Sequence, residues 1–77
     1  MPQEHKLDAC GLICPLPVLK ARKVLQKLPA GDVLRVTVTD IAAPKDFKLF
    51  CAEAGHTLQS VTPQAGEIEI VVVSGGV

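Results

Sequence analysis

Residues 8–17 read Asp8-Ala9-Cys10-Gly11-Leu12-Ile13-Cys14-Pro15-Leu16-Pro17, and the reading of the two prolines decides the fold. Prolines this close together normally break a helix. Beyond them, however, Val18, Ala21, Val24, Leu25 and Leu28 fall within one arc at about 100° per residue, with Lys20, Lys23, Gln26 and Lys27 on the opposite arc. The prolines therefore belong to the first turn of an amphipathic helix over 15–28, where backbone N–H groups have no intrahelical partner. Just upstream, Leu7 and Ala9 alternate with Lys6 and Asp8, which predicts a short strand over 4–9. The segment is a strand-to-helix junction.

Pro29-Ala30-Gly31-Asp32 stops the helix. Leu34, Val36 and Val38 then alternate with Arg35, Thr37 and Thr39 in a strand over 33–39. Phe47, Phe50, Cys51 and Ala54 follow the i, i+3, i+4, i+7 rule in a second helix over 44–54, opened by Pro44 and closed by Gly55. A weaker strand over 57–62 leads through Gln64-Ala65-Gly66 into a last strand over 67–73, whose outer face Val71 and Val73 blur. The order βαβαββ predicts an α/β two-layer sandwich, with two helices on one face of a four-stranded mixed sheet. One domain over 1–77 is expected.

Composition narrows the functional classes. The chain has 77 residues, eight Lys+Arg against eight Asp+Glu, and 48% hydrophobic residues, which argues for a packed core and against disorder. Zero net charge gives no general affinity for nucleic acid or anionic membrane. With Phe47 and Phe50 the sole aromatics, stacking on bases is excluded as a mode of recognition. No apolar run approaches the ~20 residues needed to span a bilayer. Met1-Pro2-Gln3-Glu4-His5-Lys6 lacks the pattern of a signal peptide, so a cytoplasmic location is expected. The three cysteines, Cys10, Cys14 and Cys51, then read as free thiols rather than a disulfide framework.

Of these, Cys14 carries the chemistry. It falls at or near the cap of the first helix, where the dipole is expected to lower its thiol pKa. Gly11 frees the loop to expose the thiol, while Pro15 and Pro17 restrict the turn. Cys51 lies on the apolar stripe with Phe47 and Phe50 and reads as core. Cys10 stands outside the Cys-x-x-Cys spacing of thioredoxin-like proteins, and it either resolves an oxidised or sulfur-loaded Cys14 or fills the loop. His5, Cys51 and His56 are too scattered to complete a zinc site, so no metal or other cofactor is expected. Asp40, after the second strand, reads either as a cap or as a group near the site. Lys20, Arg22, Lys23 and Lys27 hold half of the basic residues, forming either a solvated face or a docking surface beside the thiol.

Leu7-Asp8-x-x-Gly11-Leu12-x-Cys14-Pro15-x-Pro17, followed by a basic amphipathic helix, closely resembles the TusA (SirA-like) sulfur-carrier family. The likeness continues through Gly31-Asp32, Asp40, Asp46 to Phe50-Cys51, and Gly55-His56-x-Leu58. It implies the βαβαββ sandwich and a persulfide carried on Cys14. It also implies a sulfur donor of the cysteine desulfurase or rhodanese type, and an acceptor relay protein serving tRNA thiolation, cofactor assembly or sulfur oxidation. The chain departs from the Asp-Pro of many members at Asp40-Ile41, and Cys10 lies outside the family motif, which allows a Cys10–Cys14 disulfide variant. The expected carrier is a monomer with no direct nucleic-acid partner and no membrane insertion, able to dock on a membrane sulfur-compound transporter. Two alternatives stand beside it: a small thiol-disulfide oxidoreductase using Cys10 and Cys14, and an RNA- or protein-binding module.

Overall fold

The computed structural model describes residues 2–76. Six elements follow in the order β1 (Glu4–Ala9), α1 (Leu16–Leu25), β2 (Val33–Val38), α2 (Ala43–Ala54), β3 (Thr57–Gln64) and β4 (Glu67–Val73). They form a four-stranded sheet in the order β1-β2-β4-β3. β1 and β2 pair in parallel, joined by α1, while β4 runs antiparallel to both β2 and β3. The mixed sheet is the expected one. The α2 crossover skips a place, and β4 fills the gap between β2 and β3.

Each strand's alternation sorts its side chains between the two faces. Leu34, Val36 and Val38 of β2 and Ile70 and Val72 of β4 are wholly buried toward the helices, against Ala21, Leu25 and Phe47. Cys51 joins this core at 2% exposure, in agreement with its place on the α2 stripe. The other sheet face carries charge. Arg35 Nε contacts Glu4 Oε1 at 2.7 Å and its Nη1 donates to Glu69 Oε1 at 3.0 Å.

Several boundaries differ from expectation for identifiable reasons. α1 ends at Leu25 rather than 28, because the last turn tightens: Lys27 N–H bonds Val24 O and Leu28 N–H bonds Leu25 O. Pro29 disfavours helical geometry at Leu28, which precedes it. α2 ends where expected, with Gly55 at φ 82° and its N–H on Cys51 O. β3 extends to Gln64, so the hairpin turn shortens to Ala65-Gly66. Pro63 and a register shift between Leu58 and Ser60 are tolerated because β3 is an edge strand.

Candidate functional site

Where β1 and β2 end, the chain opens into two loops that meet. Gly11, at φ 79°, makes a left-handed turn after β1, and its N–H donates to Thr39 Oγ1 at 2.9 Å. Three residues on, Cys14 N–H donates to Asp40 Oδ2 at 2.8 Å, while Asp40 Oδ1 accepts the Ala42 N–H at 3.0 Å. Asp40 thus stitches the Cys14 loop to the start of α2. These two N–H donors, Ala42 first, hold its carboxyl below the usual carboxylate range.

Cys14 is exposed, with Ile13 at 70% and Ile41 at 88% exposure beside it. The Cys14–Pro15 peptide is cis. α1 begins at Leu16 rather than 15, with Pro15 as its cap residue and Pro17 inside the first turn. Cys14 therefore lies one residue outside the cap. Prolines supply no N–H, and the Leu16 N–H is already bonded to Ile13 O. The Leu19 N–H is committed to Pro15 O, leaving Val18 as the one first-turn donor outside these bonds among the described residues. The same prolines that shape this turn strip it of the donors that stabilise an anion.

The thiol's surroundings reverse the expected shift. The Asp46 carboxylate facing it pushes the Cys14 thiol above its ordinary pKa, with partial desolvation and the charge of Asp40 adding to the effect. The helix-dipole expectation fails because it left out a carboxylate that only the fold brings there. Asp46 belongs to the first turn of α2, a favoured place for a carboxylate, and it opens the stretch to Phe50-Cys51 that carries the family likeness, though neither signal ties it to the thiol.

Cys10 points elsewhere. Its Sγ lies 3.5 Å from Glu67 Oε2 and 3.8 Å from Thr37 O, on the charged sheet face. Bonding to Asp8, then desolvation and Glu67, pushes this thiol up to about 11. Cys10 and Cys14 are both free, and their thiols engage separate sets of partners. The two histidines sit at the far end of the sheet, His5 against Asp32 and His56 Nδ1 accepting the Gly75 N–H. No group of three or more His, Cys, Asp or Glu among the described residues is placed to hold a metal ion.

The basic face of α1 also proves less uniform than its charges suggest. Lys20 Nζ donates to Asp8 O at 3.0 Å, which ties it to the end of β1. Leu16 and Leu19, each 47% exposed, lie on the side of α1 away from buried Ala21 and Leu25. With Leu12, Lys20, Arg22, Lys23 and Gln26 they line an open groove of about 550 Å³. Lys27 lies beyond the helix end, in the tightened last turn. No helix among the described residues is long and apolar enough to cross a membrane.

Comparison with known proteins agrees with this architecture. The family model described as sulfurtransferase TusA matches residues 5–74. Over 66 residues the chain is 48% identical to a candidate sulfur carrier protein of Neisseria meningitidis serogroup A, covering 86% of this chain and 89% of that one. It is 38% identical over 69 residues to the sulfur carrier protein TusA of Allochromatium vinosum, covering 90% and 91%. The crystal structure of a SirA-like protein from Desulfitobacterium hafniense superposes with a TM-score of 0.81 at 30% identity, over 92% of this chain and 97% of that one.

Proposed function

The chain belongs to the sulfurtransferase TusA family, and from that membership we propose that it is a sulfur carrier whose working group is Cys14. The observation that carries this reading is an exposed thiol on a loop fixed by Asp40. Such a group is built to be reached by another protein. Cys14 attacks the outer sulfur of a donor persulfide, the new S–S bond forms on Cys14, and the donor cysteine leaves as its thiolate. Passage to an acceptor repeats the exchange in the other direction. Gly11, Pro15 and Pro17 shape the presenting turn.

Partners dock on the face of α1 next to the thiol. Lys20, Arg22, Lys23 and Lys27 steer an acidic surface, and the exposed Leu16 and Leu19 supply apolar contact at its centre. The donor is a cysteine desulfurase or a rhodanese-like protein, and the acceptor is a sulfur-relay protein. The carrier works as a cytoplasmic monomer, without binding nucleic acid directly. Docking on a membrane sulfur-compound transporter would use the same face. Loading tests the reading: with a desulfurase and cysteine, wild type gains one sulfur by intact mass and Cys14→Ser gains none. Equal loading of the two would refute it.

A further inference from the structure

Carrying sulfur on Cys14 raises a proton problem that the fold makes specific. An attacking thiol must lose its proton, and the α1 start offers little to stabilise the anion, since Pro15 and Pro17 donate nothing and Leu16 and Leu19 N–H are committed. The charged groups facing the thiol are carboxylates from two places, Asp46 on α2 and Asp40 in the loop before it. Their situations differ. Both Asp40 oxygens are occupied by backbone N–H groups. Asp46 Oδ2 is buried without a hydrogen bond, a condition met by no other buried side-chain N or O among the described residues. Asp46 lies in the first turn of α2, whose start Asp40 ties to the Cys14 loop, so its carboxylate and the thiol belong to the same end of the sheet. A buried, unpaired carboxylate oxygen is costly to maintain, and its place at the end of the sheet that presents Cys14 gives it a use.

We propose that Asp46 is the proton acceptor for Cys14, taking the thiol proton as the sulfur attacks the donor persulfide. The bond between Cys14 Sγ and the donor's outer sulfur forms as the donor's own S–S bond breaks, and its electron pair leaves on the donor cysteine. The Cys14 proton moves to Asp46 and from there to the departing thiolate, so no oxidant or reductant is consumed. Until a donor docks, the same carboxylate keeps Cys14 in its less reactive protonated form. Catalytic hydrogen bonds of this kind commonly tighten only when the partner is bound.

The inference rests on the sulfur-carrier reading, and Asp46→Asn separates the two. Alkylation at the Cys14 peptide by iodoacetamide is followed across pH, and sulfur uptake from a desulfurase with cysteine is followed by intact mass. The expected changes have opposite signs. Alkylation at neutral pH rises about three- to tenfold as ionisation becomes easier, whereas sulfur uptake falls about ten- to a hundredfold. Uptake that rises with alkylation, or does not change, overturns the role of Asp46 while leaving the carrier reading in place. Wild type that takes up no sulfur removes the carrier reading itself. If Asp46→Asn does not fold, Asp46→Ala with added formate replaces it. Recovery of uptake as formate rises supports the proposal, and no recovery in a folded variant refutes it.

Discussion

At the end of the sheet where β1 and β2 begin, Asp32 accepts the Gln3 N–H at 3.1 Å and meets His5 Nε2 at 3.0 Å, while its backbone carbonyl accepts the Ser74 N–H. At the end where those strands finish, Asp46 Oδ2 has no hydrogen bond, Ile13 and Ile41 stand in solvent, and the charges of Asp46 and Asp40 act on an exposed thiol. The first end satisfies its buried polar groups and closes the fold. The second keeps one unsatisfied and exposes apolar side chains, an arrangement that costs stability and makes sense where another molecule completes the contacts. Phe47 lies between the two, wholly buried in the core that both share.

If the ends are so divided, perturbing each should move a different observable. Phe47→Ala should have the largest effect, lowering stability by about 3–5 kcal/mol in a denaturant titration and impairing both ends together. A loss of sulfur uptake without a loss of stability would break the idea of a common core. Asp32→Asn comes next. The His5 hydrogen bond, then the Gln3 N–H, holds the Asp32 carboxyl below its ordinary pKa. Because the folded pKa is the lower one, its stabilisation is present above about pH 4 and is lost as pH falls through the folded value. The variant should melt several degrees lower at neutral pH and show a flatter acid dependence below about pH 4, with sulfur uptake unchanged. Melting equal to wild type at both pH values would remove the structural role of this pair.

At the other end, Asp40→Ala should lower the melt modestly, as two backbone N–H groups lose their acceptor, and slow uptake several-fold, since the Cys14 loop loses its tie to α2. A large drop in melting with unaltered uptake would reverse the assignment of the two ends. The smallest effect is expected from Lys23→Glu, which should slow loading by about two- to fivefold at low ionic strength and by little at ~0.5 M salt. An equal effect at both salt concentrations would point to lost packing rather than steering.

The sequence was most informative where the pattern is local. Alternation in 4–9 and 67–73 sets β1 and β4 to the residue, and the Phe47-Phe50-Cys51 stripe places Cys51 correctly in the core. Strand order was not legible, because the β2–β4 pairing joins segments far apart in the chain and many registers satisfy the same alternation. The Pro15 and Pro17 turn is legible as a helix start, yet its electrostatics are not. A dipole argument assumes free N–H groups, and it could not anticipate a carboxylate delivered by α2. The exposure of Leu16 and Leu19 is not legible for a related reason. Apolar residues outside the core arc look like noise until the helix is seen to expose them.

The central claim, that Cys14 and neither of the other thiols holds the transferred sulfur, is tested most directly by locating it. After loading from a desulfurase and cysteine, the tryptic peptide Leu7–Lys20 contains both Cys10 and Cys14, and fragmentation tells them apart. The extra sulfur is expected on Cys14, and it should disappear when an acceptor thiol is added. Sulfur found on Cys10 or Cys51, or a Cys10–Cys14 disulfide in its place, would contradict the account.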